Sequence, residues 1–274
     1  MPIEGAHTWR LLMIYSNCTR LREFGVLSLV VLIGMLSLYG CSAKEKPTTP
    51  EEYLRLGNQQ LGRKRQQQAR EYYQQLLENF PDSAYKAEAQ FNIAESLYNE
   101  GDYLEARFEY EKFLQLHPVH PLASRAQFQL GMCSLKQVLS YDRDQTHTHQ
   151  ALQAFRLLRR QYPQDPLVPA AEAHIRTLRE RLAARELYVA RFYYNKKAYQ
   201  AAIGRLLNLI QVYPTTPALD EVLYMLADSY HAEENYVKAQ RALRLLVDRF
   251  PESTYVSRAR TQLRRLPNTG IALQ

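Results

Sequence analysis

The sequence predicts an all-α fold, a solenoid of five helix pairs with an elongated helix in the fourth pair, and three observations carry that reading. The strong helix formers Ala, Leu, Gln, Arg and Glu crowd the middle of the chain, and only 10 of its 274 residues are glycine. Five dipeptides, each an aromatic residue or histidine followed by proline, punctuate it: Phe80-Pro81, His117-Pro118, Tyr162-Pro163, Tyr213-Pro214 and Phe250-Pro251. Fixed offsets lead up to those prolines. An alanine lies twelve residues before each (Ala69, Ala106, Ala151, Ala202, Ala239), and a large apolar residue lies eight before (Tyr73, Tyr110, Phe155, Leu206, Leu243). A small residue lies 24 before in four of the five (Gly57, Ala94, Ala190, Ala227). Such self-similarity marks an array whose units bury their apolar faces only against their neighbours.

Residues 1–40 stand apart from this pattern. Phe24 to Leu38 is an uncharged run of 15 residues behind Arg20 and Arg22, which matches the charged and apolar parts of a secretion signal. It falls short of the roughly 20 apolar residues that a spanning helix needs. The following Leu38-Tyr39-Gly40-Cys41 resembles the bacterial lipobox, at which a signal peptidase cuts before a lipid-modified cysteine. The resemblance implies S-diacylglycerol and an N-acyl chain on Cys41, and no other cofactor is expected. Two or more acyl chains make a lasting membrane anchor. Ser42 stands where inner-membrane retention usually shows Asp, so the implied destination is the outer membrane, facing the periplasm. Residues 41–50 then form the lipidated N-terminus and tether, in which SAKEKPTTP is polar and punctuated by proline.

Cleavage would remove Cys18 and lipidation would consume Cys41, leaving Cys133 without a disulfide partner. Its neighbours Phe128, Leu130, Met132 and Leu135 predict a packed core thiol.

Residues 51–266 carry the repeats. The clearest copy runs Ala94, Tyr98, Gly101-Asp102-Tyr103, Ala106, Tyr110, Pro118, and it resembles the tetratricopeptide repeat. The physical logic is legible: small residues let the two helices of a pair approach, aromatics fill the space between pairs, Gly-Asp makes the inner turn, and proline ends the second helix. The resemblance implies a right-handed superhelix. Spacings between successive prolines are 37, 45, 51 and 37 residues. In the third repeat eight extra residues, Tyr141 to Thr148 (YDRDQTHT), are too polar for a core and predict a projecting loop. In the fourth, about 14 extra residues fall in a stretch from Ala170 to Asn195 without Pro or Gly, or roughly four more turns. One long helix of about 26 residues therefore joins an N-terminal group of three repeats (51–166) to a C-terminal pair (167–266), followed by a short tail (267–274).

The lipobox, the five repeats, the insertion with Asp142-Arg143-Asp144 and the long fourth helix, taken in this order, are similar to the outer-membrane assembly lipoproteins of the β-barrel assembly machinery. That resemblance implies a scaffold whose partners are unfolded outer-membrane proteins, the periplasmic domains of the barrel subunit and accessory lipoproteins. Export of the chain leaves no nucleic acid partner expected. If the first helix of each pair lines the groove, the substrate-peptide positions are Asn58, Leu61, Phe91, Glu95, Tyr98, Arg125, Phe128 and Met132, with Phe91 and Phe128 equally suited to packing between repeats. Arg205, in Gly204-Arg205-Leu206-Leu207, falls where the family has an arginine facing the barrel subunit. The Lys and Asn set that clamps a terminal carboxylate in some chaperone-binding repeats is mostly missing, since Leu54 stands where Lys is wanted.

Other chemistry is thin. Arg176, Arg179, Arg181 and Arg185 crowd the long helix as a solvated face, or as a surface for anionic lipid headgroups or an acidic protein. His147 and His149 lack a third metal ligand, and Asp142 and Asp144 lack the downstream Gly and Glu of a calcium loop, so no metal is expected. No phosphate loop, HExxH or nucleophile elbow is present, and the chain is not expected to be an enzyme. Another class shares the helices: periplasmic repeat lipoproteins acting as adaptors in cell-envelope or division complexes, which should lack the insertion.

Overall fold

The computed structural model describes residues 46–267. The chain divides into two units, Met1–Pro47 and Thr48–Gln274, and the architecture below is that of the second. The signal segment and Cys41 lie outside the described residues.

Every regular element among the described residues is a helix: α1 Pro50–Gly62, α2 Gln66–Asn79, α3 Lys86–Glu100, α4 Tyr103–Leu116, α5 Ala123–Lys136, α6 Thr146–Gln161, α7 Val168–Asn195, α8 Tyr199–Val212, α9 Leu219–Ala232, α10 Tyr236–Arg249 and α11 Val256–Arg265. Each packs mainly on its chain neighbours, as a solenoid requires. Helix α1 begins at Pro50. Thr49 caps α1, its hydroxyl accepting from the Glu52 N–H at 3.3 Å while Glu52 reaches back to the Thr49 N–H, and Pro50 takes the first helical position.

The prolines act as expected. Helices α2, α4, α6, α8 and α10 are each capped by the residue before proline, whose φ lies between −127° and −136° and ψ between 54° and 62°. The proline ring disfavours helical geometry at that residue. The inner turns share another device. Lys64, Gly101, Lys197 and Glu234 each sit 17 residues before their proline, and each has a φ between 57° and 93°. Only Gly101 adopts this left-handed conformation without strain.

The missing small residue of the third repeat is Gly131, 32 residues before Pro163, because the eight-residue insertion shifts it. It faces Phe155 as Gly57 faces Tyr73. A methyl on Gly57 would lie 2.4 Å from the Tyr73 ring, and one on Gly131 would lie 2.7 Å from the Phe155 ring. Both rings are fully buried. The pairing of a small residue on one helix with a large one on the next thus extends to Gly131 and Phe155.

Four cores run along the stack. The first gathers on Tyr73 and Leu76, the second on Phe91, Tyr110 and Phe113, the third on Phe155, Leu158 and Leu178, and the fourth on Leu206, Leu209, Leu243 and Leu246. Each such side chain contributes about 1.5–3 kcal/mol by leaving water. The long helix α7, with 28 residues against the expected 26 or so, spans two of them: Ile175, Leu178 and Leu182 serve the third core, Leu187 and Ala190 the fourth. At the far end α11 closes the fourth core with Val256 and Ala259, and Leu266 just beyond it adds to the seal.

Candidate functional site

The eight groove positions divide sharply. Phe91 takes the packing alternative: it is 2% exposed, packed edge-on against Tyr110 at 5.7 Å and Phe113 at 5.6 Å, and so belongs to the second core. Leu61 packs partly buried on the first core, and Phe128 and Met132 on the third. Phe128 lies 5.5 Å from the Phe155 ring. Tyr98 meets Tyr103 at 5.3 Å and keeps part of its surface in solvent.

Asn58 and Glu95 hold a role that sequence reasoning missed. Each follows the small residue of its repeat by one position, and each ties two repeats together. Asn58 Oδ1 accepts from the Tyr73 hydroxyl at 2.7 Å and from Asn92 of the next pair at 2.9 Å. Glu95 accepts from the Tyr110 hydroxyl at 2.5 Å, Gln129 at 2.7 Å and Arg125 at 2.9 Å. Asp228, in the same register of α9, accepts from Tyr194 at 2.5 Å and Gln262 at 3.3 Å. Burial pushes the Tyr73, Tyr110 and Tyr194 hydroxyls far above their ordinary range, so they remain donors at any physiological pH. The recurrence of a polar residue one place after the small one was the available signal. Arg125 stays exposed on this surface, with its guanidinium 5.2 Å from the Phe91 ring.

The insertion does not project. Arg181 of α7 donates to the Leu139 carbonyl, Arg185 donates to the Asp142 carbonyl at 3.1 Å, and Tyr141 meets Tyr188 at 5.9 Å. Gln145 donates to the carbonyls of Ser140 at 2.9 Å and Arg143 at 3.0 Å and accepts from the Thr148 hydroxyl at 2.9 Å. Thr148 is fully buried, and α6 already begins at Thr146. A polar segment packs here because side chains satisfy its backbone. The two departures from regular repeat length therefore build one surface. On it Leu139, Tyr141, Tyr188 and Phe192 remain 41–55% exposed.

Arg205, on α8, sits 3.5 Å from Glu186 of α7 with 47% of its side chain exposed. So loose a pair is worth about 0–1 kcal/mol and leaves the guanidinium accessible to a partner. Cys133 is fully buried, and burial pushes its thiol up to about 12, as a packed core cysteine requires. Among the described residues there is no cluster of three or more potential metal ligands, and no helix is long and apolar enough to cross a membrane.

Against known proteins, the family described as "Outer membrane lipoprotein" matches residues 47–235, the insertion and long helix included. The chain belongs to that family. A tetratricopeptide-repeat family also matches residues 221–253, which covers most of α9 and all of α10. Relatives named outer membrane protein assembly factor BamD include that of Caulobacter vibrioides, 29% identical over 201 residues that make up 71% of this chain and 66% of that protein. The one from Neisseria gonorrhoeae is 28% identical over 68% of this chain and 74% of its own length. That of Rickettsia prowazekii is 26% identical over 85% and 94% respectively. Among solved structures, the TPR2AB domain of yeast Sti1 in its pHSP90 complex is similar over 79% of this chain and 83% of that one, at 12% identity and a TM-score of 0.43.

Proposed function

We propose that the chain is a lipid-anchored scaffold of outer-membrane β-barrel assembly, which holds unfolded barrel proteins and the barrel subunit together beside the membrane. The match of the outer membrane lipoprotein family across residues 47–235, with relatives named as outer membrane assembly factors, carries this reading. A stack of helices with exposed side chains on several faces suits binding rather than chemistry. Cys41 supplies the anchor through its acyl chains. Asn58, Leu61, Glu95, Tyr98, Arg125, Phe128 and Met132 mark the side that meets substrate segments, and Arg205 meets the barrel subunit. No catalytic step is assigned to any residue.

Depletion in the native host tests the assembly role: outer-membrane barrel proteins should fall while other envelope lipoproteins hold their level. Steady barrel levels would overturn it. A charge reversal, Arg205→Glu, should reduce copurification of the barrel subunit with this protein. Unchanged recovery would remove Arg205 from the interface, and a mature chain without acyl mass at Cys41 would remove the anchor.

A further inference from the structure

The end of the stack differs electrically from the rest. Residues 41–235 hold 24 Lys and Arg against 24 Asp and Glu, whereas residues 236–265, which span α10 and α11, hold eight against two. None of those eight cations is in an ion pair among the described residues.

Helix α11 has two working faces. Val256 and Ala259 pack on the fourth core. Ser257, Arg258, Thr261, Gln262 and Arg265 share another face, and it lines a cavity of about 530 Å³. Every side chain that α11 contributes there carries a hydrogen-bond donor. Across the cavity stand Tyr224 and Asp228 of α9. Asp228 is the carboxylate among the lining residues, and both its oxygens are engaged, by Tyr194 and Gln262. Tyr224 is held flat by stacking on Tyr255 at 5.0 Å and 27°. Arg258 and Arg265 make no hydrogen bond or ion pair among the described residues. They are seven residues apart on one helix, which places their backbone origins about 10 Å apart along its axis.

We propose that this cavity binds an extended acidic peptide segment through two carboxylates, one on Arg258 and one on Arg265. A segment in polyproline II geometry returns to the same side every three residues and advances about 9 Å in doing so. Acidic side chains three positions apart therefore match the two guanidiniums, each a fork that suits a carboxylate. The surplus charge of α10 and α11 raises the local concentration of such a segment before it docks. A bilayer is flat, and would meet exposed cations of the outer surface such as Arg241 and Arg244 rather than enter the cavity. The proposal is independent of the partners assigned above.

Fluorescence anisotropy with the purified mature protein and a labelled peptide, Gly-Ser-Glu-Ser-Gly-Glu-Ser-Gly, tests it. The peptide should bind, and its counterpart with Gln for both Glu should not. Arg258→Gln and Arg265→Gln should each weaken binding about tenfold or more, as loss of a charge-assisted hydrogen bond demands. The control Arg241→Gln/Arg244→Gln removes two charges outside the cavity and should leave affinity within about twofold. All four arginines are exposed, so their variants retain the helical fold, which circular dichroism checks. Three results overturn the proposal: no binding by the unaltered protein, an equal loss in the Arg241/Arg244 control, or full displacement by inorganic phosphate at matched ionic strength. The last would make the site a trap for free anions.

Discussion

Substituting Gly131→Ala asks how closely the paired helices must approach. The added methyl would lie 2.7 Å from Phe155 Cε1 and 2.9 Å from its Cδ1 and Cζ. Carbon atoms rest at about 3.5–4.0 Å, so ring or helix must yield by roughly 1 Å. The ring has little room to do so. It is fully buried, with Phe128 at 5.5 Å and His174 stacked on it at 5.0 Å. Overpacking of this kind costs about 1–3 kcal/mol, and the constrained ring puts the cost near the upper end. Alanine recovers about 1 kcal/mol as the better helix former. The net expectation is a loss of about 2 kcal/mol, or a melting temperature lower by about 4–8 °C for a body of this size. Thermal and urea unfolding followed by circular dichroism measure it. A companion variant sharpens the test. The fourth and fifth repeats set Ala190 against Leu206 and Ala227 against Leu243, so Gly131→Ala/Phe155→Leu should recover at least about 1 kcal/mol relative to the sum of the single changes. A Gly131→Ala protein more stable than the parent would show that propensity alone governs the position, and the reasoning on helix approach would fall.

Three further outcomes follow from the geometry. Lys197, held at φ 58°, should be improved by Lys197→Gly, which removes a left-handed penalty of about 1 kcal/mol, partly offset by chain entropy; a lower urea midpoint would contradict this. His117 and His174 have folded-state pKa values below the ordinary 6.5, chiefly through burial, with His120 and Lys86 adding to the effect at His117. The unfolded chain therefore binds protons first, so stability present above pH 6.5 is lost as pH falls below it; the drop between about pH 7.5 and about pH 5.5 should shrink in His174→Phe. Finally, Arg181→Ala/Arg185→Ala frees the backbone of residues 139–142, and limited trypsin digestion should then cut after Arg143 while the unaltered protein resists there.

Much of the fold was legible because its signals are local. Proline acts on the residue before it through a steric clash that needs no tertiary context, so Phe80, His117, Tyr162, Tyr213 and Phe250 end their helices wherever the stack places them. The spacing of small and large residues is likewise a property of chain register, and it named Tyr73, Tyr110, Leu206 and Leu243 as core before any coordinate. The long helix was readable from an absence of breakers, and Cys133 from its apolar neighbours. The candidate site was less legible. Composition made YDRDQTHT a projecting loop, yet three-dimensional contact decides whether its carbonyls find donors, and Arg181, Arg185 and Gln145 supply them from positions up to about 43 residues away. Position in the repeat put Phe91 in a groove, but which flank of a helix stays open depends on how its neighbours lean. The inter-repeat ties of Asn58 and Glu95, and the donor-lined cavity of α9 and α11, also arise only when separate helices meet. The sequence by itself thus determined the helices, their ends and the residues between them, because these follow from backbone sterics and apolar periodicity. Tertiary structure alone decided which polar groups remain free for a partner, because that depends on hydrogen bonds made across the stack.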